Sequence, residues 1–188
     1  NMLKRIGAVA EISADIKKIE RADKLILPGV GSFDFGMENL QKSGLVPVLN
    51  EKVLNQKIPV LGICLGMQLM TQKSDEGVLT GLNWIEGEVK KFRFDALNYK
   101  RKIPHMGWNT VHTRKNHVIF SEKNIERRFY FIHSFYVDCF DDQDILTVTN
   151  YGVEFVSSFQ KENIIGMQFH PEKSHKFGME VMTNFSCL

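Results

Sequence analysis

The chain has 188 residues, 43% of them apolar and 24% charged, the balance of one ordinary globular domain. Its 24 basic and 22 acidic side chains leave a net charge of +2, so no chain-wide electrostatic footprint for nucleic acid or an anionic membrane exists. Three scattered cysteines, Cys64, Cys139 and Cys187, make neither a disulfide framework nor a Cys-x-x-Cys zinc site. The most apolar stretch, Ile58 to Met70, is broken by a proline, two glycines and a glutamine and is too short to span a bilayer. Charges at Lys4, Arg5 and Glu11 are unlike a signal peptide. These features predict a reducing, cytoplasmic setting, with no membrane and no nucleic-acid partner.

The first half alternates helix and strand. Met2, Leu3 and Ile6 share a helical face that Gly7 ends. Ala8 to Ile12 reads as a strand, Asp15 to Arg21 as a short helix, and Lys24 to Leu27 as a strand ending at Pro28 and Gly29. Phe35 to Leu54 is helical with a break near Gly44 and Pro47. Pro59 to Ile63 is continuously apolar, as a strand covered on both faces should be, and Leu65 to Gln72 is a helix. This order predicts an α/β fold: an open, mostly parallel sheet flanked by helices.

The second half is strand-rich. Val89 to Phe94, Trp108 to Val111, Phe129 to Val137, Ile145 to Thr149, Phe155 to Gln160 and Ile164 to Phe169 follow one another by short links. They predict an antiparallel extension of the sheet, closed by a helix from about Phe177 to Phe185.

Chemistry concentrates at Gly62-Ile63-Cys64-Leu65-Gly66. An apolar strand ends, a cysteine follows and a helix begins, with a glycine two residues to each side. This is a nucleophile-elbow pattern carrying Cys. The glycines permit a sharp turn. The helix N-terminus favours negative charge on the sulfur, and the Leu65 N–H points to where an oxyanion would form. A buried structural cysteine in a strand–helix turn fits the same five residues. A cysteine nucleophile needs a base, and the base an orienting group. Of six histidines, His170 alone follows an apolar strand and precedes Pro171-Glu172. It therefore sits at a strand's carboxyl end, where ligands bind in open α/β sheets, and Glu172 is placed to fix its tautomer. In Pro28-Gly29-Val30-Gly31, the glycines around Val30 let a peptide turn and present a second oxyanion donor, although a plain βα turn has the same composition.

These segments, in this order, resemble those of class I (triad-type) glutamine amidotransferases. Pro28 to Phe33, Gly62 to Gln68, Pro104-His105-Met106-Gly107-Trp108-Asn109 and Gln168 to Ser174 resemble in particular the glutaminase subunits of imidazole glycerol phosphate synthases. The resemblance covers essentially the whole chain as one glutaminase domain, residues 1–188. It implies that Cys64 attacks the side-chain amide of glutamine, with His170 as base, Glu172 as its orienter, and oxyanion donors from Val30, Gly31 and Leu65. It implies that Gly29, Gln68, Glu76, Ser134 and Phe135 line the glutamine pocket. It further implies that His105, Met106, Trp108 and Asn109 lie at an ammonia exit facing a (βα)₈-barrel synthase subunit in histidine biosynthesis, with no cofactor and no metal. Such proteins begin with a strand and a glycine-rich turn that are absent before Asn1, which reads as a truncated or incompletely recorded N-terminus.

Three alternatives share parts of this pattern: a glutaminase feeding amidination of a surface-polysaccharide sugar, a non-catalytic binding subunit, and a cysteine peptidase. An intact Cys64, His170 and Glu172 argues against the second, and Gln68 with Glu76 suits a free amino acid better than a peptide. Cys139 and Cys187 read as incidental, Phe and Met as core and subunit contact, and Lys90-Lys91 and Arg127-Arg128 as solvated faces.

Overall fold

The computed structural model describes residues 2–94, 101–120 and 125–188. Helix α1 (Met2–Arg5) ends, as its sequence predicts, near Gly7 at φ 76°. Residues 8–12 form no strand, and Val9 and Ile12 are fully exposed. Alternating apolar residues need a neighbouring strand to take up their backbone groups, and none runs beside this segment among the described residues. Asp15 then caps α2 (Ile16–Glu20), accepting from the Lys17 N–H at 2.8 Å.

Strand β1 (Leu25–Gly29) leads to α3 (Phe33–Lys42), which stops at Gly44 with φ 68°. The predicted break near Gly44 and Pro47 falls at Gly44. Pro47 lies inside α4 (Leu45–Asn50), in its first turn, where the missing N–H would have no helical partner anyway. A π-helical turn (Glu51–Asn55) continues the rod into β2 (Val60–Cys64), whose five residues are all buried. Helix α5 (Leu65–Leu69) is shorter than its sequence suggests. Its last carbonyl and the ones after it bond the segment 81–84 instead: Leu82 N–H donates to Leu69 O at 2.8 Å, and Trp84 N–H to Met70 O at 2.8 Å.

The remaining strands are β3 (Lys73–Ser74), β4 (Gly87–Lys91), β5 (His105–Thr113), β6 (Arg127–His133), β7 (Phe135–Cys139), β8 (Ile145–Asn150), β9 (Glu154–Lys161) and β10 (Ile164–Met167), followed by α6 (His175–Ser186). The stretch expected as one strand, Phe129 to Val137, is two. It divides at Ser134 because β6 pairs with β5 while β7 pairs with β4.

The path β1-β2-β10-β9-β7-β4-β3 orders the sheet, with β8 joined to β9 and β5 linking β8 to β6. β1, β2 and β10 are mutually parallel about β2, so the expected antiparallel extension holds for the pairings among β4 to β9, whereas β10, expected within it, joins the parallel trio and pairs antiparallel only with β9. Helices α3 to α5 cover one face around Phe33, Met37, Met67 and Met70. The other face packs α1 and α6 on an aromatic core of Phe92, Phe129, Phe131, Phe155 and Phe169. The Phe-rich composition is thus mostly interior. Arg127 corrects one expectation: it is buried, and its guanidinium grips Glu180 of α6 at 2.6 and 3.0 Å. The parallel register sets Gly29 beside Cys64 and Ile63 beside Met167, so β1, β2 and β10 end level, at one rim.

Candidate active site

Cys64 is the last residue of β2 and the N-cap of α5, with φ 54° and ψ −111°. A non-glycine residue there holds a strained backbone, a feature concentrated at functional sites. The flanking glycines make the turn sterically possible. A Cβ on Gly66 would lie 1.8 Å from Leu27 O, and one on Gly62 would lie 2.8 Å from Gly66 O. Only bare backbone lets α5 start this close to β1.

His170 follows β10 at the same rim. Its backbone is pinned at both ends: its N–H donates to Tyr130 O at 2.9 Å, and its carbonyl accepts from Ser174 Oγ at 2.6 Å. The ring Nδ1 meets Glu172 Oε1 at 2.7 Å. Nε2 is buried without a hydrogen-bond partner among the described residues. Burial disfavours charge on this ring, but the Cys64 sulfur and the Glu172 carboxylate outweigh it, and the pKa is raised to about 9. Burial likewise works against the Glu172 carboxylate, yet the His170 ring holds its pKa below the usual value.

The other expected site residues sort by place. The Pro28–Gly31 loop lies against the start of α5, since a Cβ on Gly29 would be 2.9 Å from Leu65 Cβ. Gly31 has φ +103°, with nothing within 4 Å of an added Cβ, so conformation and not space calls for glycine. Val30 is 79% exposed. Both expected oxyanion segments therefore meet beside Cys64. Gln68 is buried one turn along α5, and its amide donates to Phe135 O at 3.2 Å and to Gln168 Oε1 at 3.0 Å. Ser134 sits at the β6–β7 break, accepting at its carbonyl from the Phe92 N–H at 3.2 Å. Glu76 is exposed and caps α3, accepting from the Phe33 N–H at 2.8 Å.

The segment expected at a partner interface is divided by the pleat of β5. Met106 and Trp108 are exposed, at 57% and 41%. His105 is a correction: it is 1% exposed and faces inward, and Asn109 on the same side of the strand hydrogen-bonds within the chain.

Sequence reasoning missed Gln168, which is fully buried and donates from Nε2 toward Cys64 Sγ at 3.7 Å. The signal was available, because Gln168 and His170 are two apart on a segment leaving a strand and so face the same way. Cys139 matches its incidental reading, its thiol pushed up to about 12 by burial and then by nearby Asp144.

A thiol at a strained elbow, a carboxylate-bound imidazole and two converging backbone turns form an apparatus for acyl transfer. The family model for class-I glutamine amidotransferases matches residues 4–187. The chain belongs to this family. Among curated members, it is 51% identical over 185 residues to the Pseudomonas aeruginosa "Imidazole glycerol phosphate synthase subunit HisH 2", covering 98% of this chain and 90% of that one. Against the like-named Methanococcus maripaludis protein it is 54% identical over 187 residues, with 98% and 90% coverage. The Leptospira borgpetersenii subunit HisH is 44% identical over 190 residues, with 100% and 92% coverage. The fold is shared with a glutamine amidotransferase of known crystal structure, at TM-score 0.73 and 15% identity, covering 100% of this chain and 91% of that one. It is also shared with the glutaminase domain of Trypanosoma brucei CTPS, at TM-score 0.66 and 16% identity, with 99% and 84% coverage. No helix among the described residues is long and apolar enough to cross a membrane.

Proposed function

We propose that this amidotransferase is the glutamine-hydrolysing subunit of an imidazole glycerol phosphate synthase and that Cys64, His170 and Glu172 are its triad. The observation that carries the chemistry is the Cys64 elbow with the His170–Glu172 pair at the same rim of the sheet. The Cys64 thiolate attacks the side-chain carbonyl carbon of glutamine. The oxyanion is met by the Leu65 N–H and by an N–H of the Val30–Gly31 turn. Protonated His170 gives its proton to the leaving nitrogen, so ammonia departs and a γ-glutamyl thioester remains. His170, now neutral, takes a proton from water, which attacks the thioester and releases glutamate and the thiolate. Glu172 holds the ring in one tautomer throughout. Gln68, Glu76, Gly29 and the Ser134–Phe135 backbone hold the amino-acid end of the substrate.

The relatives are named as subunits, which supports a partner chain. The partner is a (βα)₈-barrel synthase that receives the ammonia, docked over the exposed Met106 and Trp108 of β5. The test is intact-protein mass spectrometry with a glutamine-like alkylating agent, alongside synthesis assays of the complex. One adduct on Cys64 is expected. Cys64→Ala should abolish glutamine-dependent synthesis and spare synthesis from ammonium salt. An adduct on Cys139 overturns the assignment.

A further inference from the structure

Beneath the glutamine pocket lies a chain of polar groups that the triad chemistry does not use. His133 Nδ1 is 2.7 Å from Phe135 O, the carbonyl that also receives the Gln68 amide. His133 Nε2 is 2.9 Å from His105 Nδ1, the two residues being directly opposed on β6 and β5. His105 Nε2 is 3.3 Å from Asn109 Nδ2. Both rings are buried, and the His105 ring is held between Tyr151 and Phe131 at centroid distances of 3.9 and 4.8 Å.

The direction of every proton follows from what each end can accept. A carbonyl only accepts, so His133 Nδ1 carries the hydrogen and, in a neutral ring, Nε2 is bare. His105 must therefore donate from Nδ1, which leaves its own Nε2 as an acceptor. Asn109 supplies the donor, and its orientation is fixed independently. Its Oδ1 accepts from the Thr110 N–H at 2.9 Å, while Nδ2 also donates to Asn150 O at 3.0 Å. Neutral rings suit the site. Burial, with Arg101 adding to it, lowers the His105 pKa to about 4. Burial lowers that of His133 to about 3 against the opposing Phe135 hydrogen bond, with His105 and His170 adding to the fall.

We infer that Asn109, His105 and His133 form a one-directional hydrogen-bond relay that runs from β5 to the Phe135 carbonyl and acts as a positioning device for Gln68 and the glutamine it binds. The inference rests on the glutaminase reading of the site. The relay begins on the strand that presents Met106 and Trp108 outward, and it ends on the carbonyl that holds Gln68. Gln68 in turn bonds Gln168, and Gln168 reaches the Cys64 sulfur. The hydrogen bonds of the Cys64 sulfur run to Ile132 O and Gln168 and not to the three relay residues, so their effect falls on binding geometry.

Two measurements test it. Long-range ¹H–¹⁵N spectra of the histidine rings in the wild-type protein should show both His105 and His133 protonated at Nδ1 and bare at Nε2. An Nε2–H tautomer on either ring overturns the relay. In the synthase complex, His105→Phe keeps a ring between Tyr151 and Phe131 but cannot donate or accept. It should raise the KM for glutamine by about 5- to 20-fold with little change in kcat, as expected for one broken buried hydrogen bond. His105→Gln, which keeps one donor and one acceptor, should recover most of that loss. A role in packing alone predicts the opposite: Phe as good as His, or a fall in active fraction with KM unchanged. The tautomers are read without substrate, whereas the site assignment stands or falls on the Cys64 adduct, so the two failures are separable.

Discussion

The His170 imidazole lies between a sulfur and a carboxylate, and its proton answers to both. With a pKa raised to about 9, the ring is cationic at neutral pH before glutamine arrives. Cys64→Ala removes the sulfur and should move the His170 titration downward, read from its ring-proton shifts in an NMR pH series. The pair also stabilises the fold within a defined pH window. His170 has a folded pKa above its ordinary 6.5, so its contribution is complete below 6.5 and disappears as pH rises through about 9. Glu172 is lowered from 4.5, so its contribution is present above 4.5 and disappears as pH falls through its folded value. The stability lost in Glu172→Gln should therefore be greatest between these two ordinary values and vanish towards pH 9, as measured by denaturant midpoints across that range.

Among the elements, the join between β2 and α5 tolerates least. A methyl group at position 66 meets Leu27 O at 1.8 Å, a backbone atom with no freedom to withdraw. Gly66→Ala should cost at least about 1–3 kcal/mol by overpacking, and it should slow Cys64 alkylation, because α5 must back away from β1. The seam between β6 and α6 depends on charge. Glu180→Ala removes the carboxylate that accepts two hydrogen bonds from the buried Arg127 guanidinium and should cost about 1–3 kcal/mol in a thermal or denaturant melt. The sequence disclosed the start of α5, because glycine spacing and an apolar strand are local signals. It did not disclose the Arg127–Glu180 pair, since two charged residues 53 positions apart look solvated until the sheet brings them together. The break at Ser134 was hidden for a related reason. Apolar alternation runs straight through it, and only the change of neighbour from β5 to β4 divides the strand.

Across the molecule, the parallel trio β1, β2 and β10 assembles three distant stretches of chain at one rim, as open α/β sheets do at their ligand-binding ends. The proposed Cys64 and His170 were legible as candidates because each lies at or just beyond the end of a recognisable strand, with Glu172 two residues on in a short turn. The buried partners Gln168 and His133 were less so. Their importance comes from what they face, and a polar residue within an apolar run carries no label for that. The assembled rim also sets an expectation for the complex. Val30 is exposed and Gly31 is held at positive φ, so the turn proposed to supply an oxyanion donor is open to a docked partner. Steady-state assays should find the isolated chain slow and the liganded complex faster by at least about 10²-fold, the worth of one oxyanion donor. Gly31→Ala, strained at this φ, should lose most of that activation. Equal rates with and without the partner would make the turn an ordinary loop.

The backbone at Cys64, at φ 54° and ψ −111°, sets reactivity and durability against each other. Glycine normally weakens a folded chain relative to alanine by about 0.5–1 kcal/mol, but at this position alanine must bear the unfavourable torsions and glycine need not. Cys64→Gly should consequently melt above Cys64→Ala, inverting the usual ranking. A selection for robustness alone, blind to turnover, would drift towards glycine at the position proposed as the nucleophile.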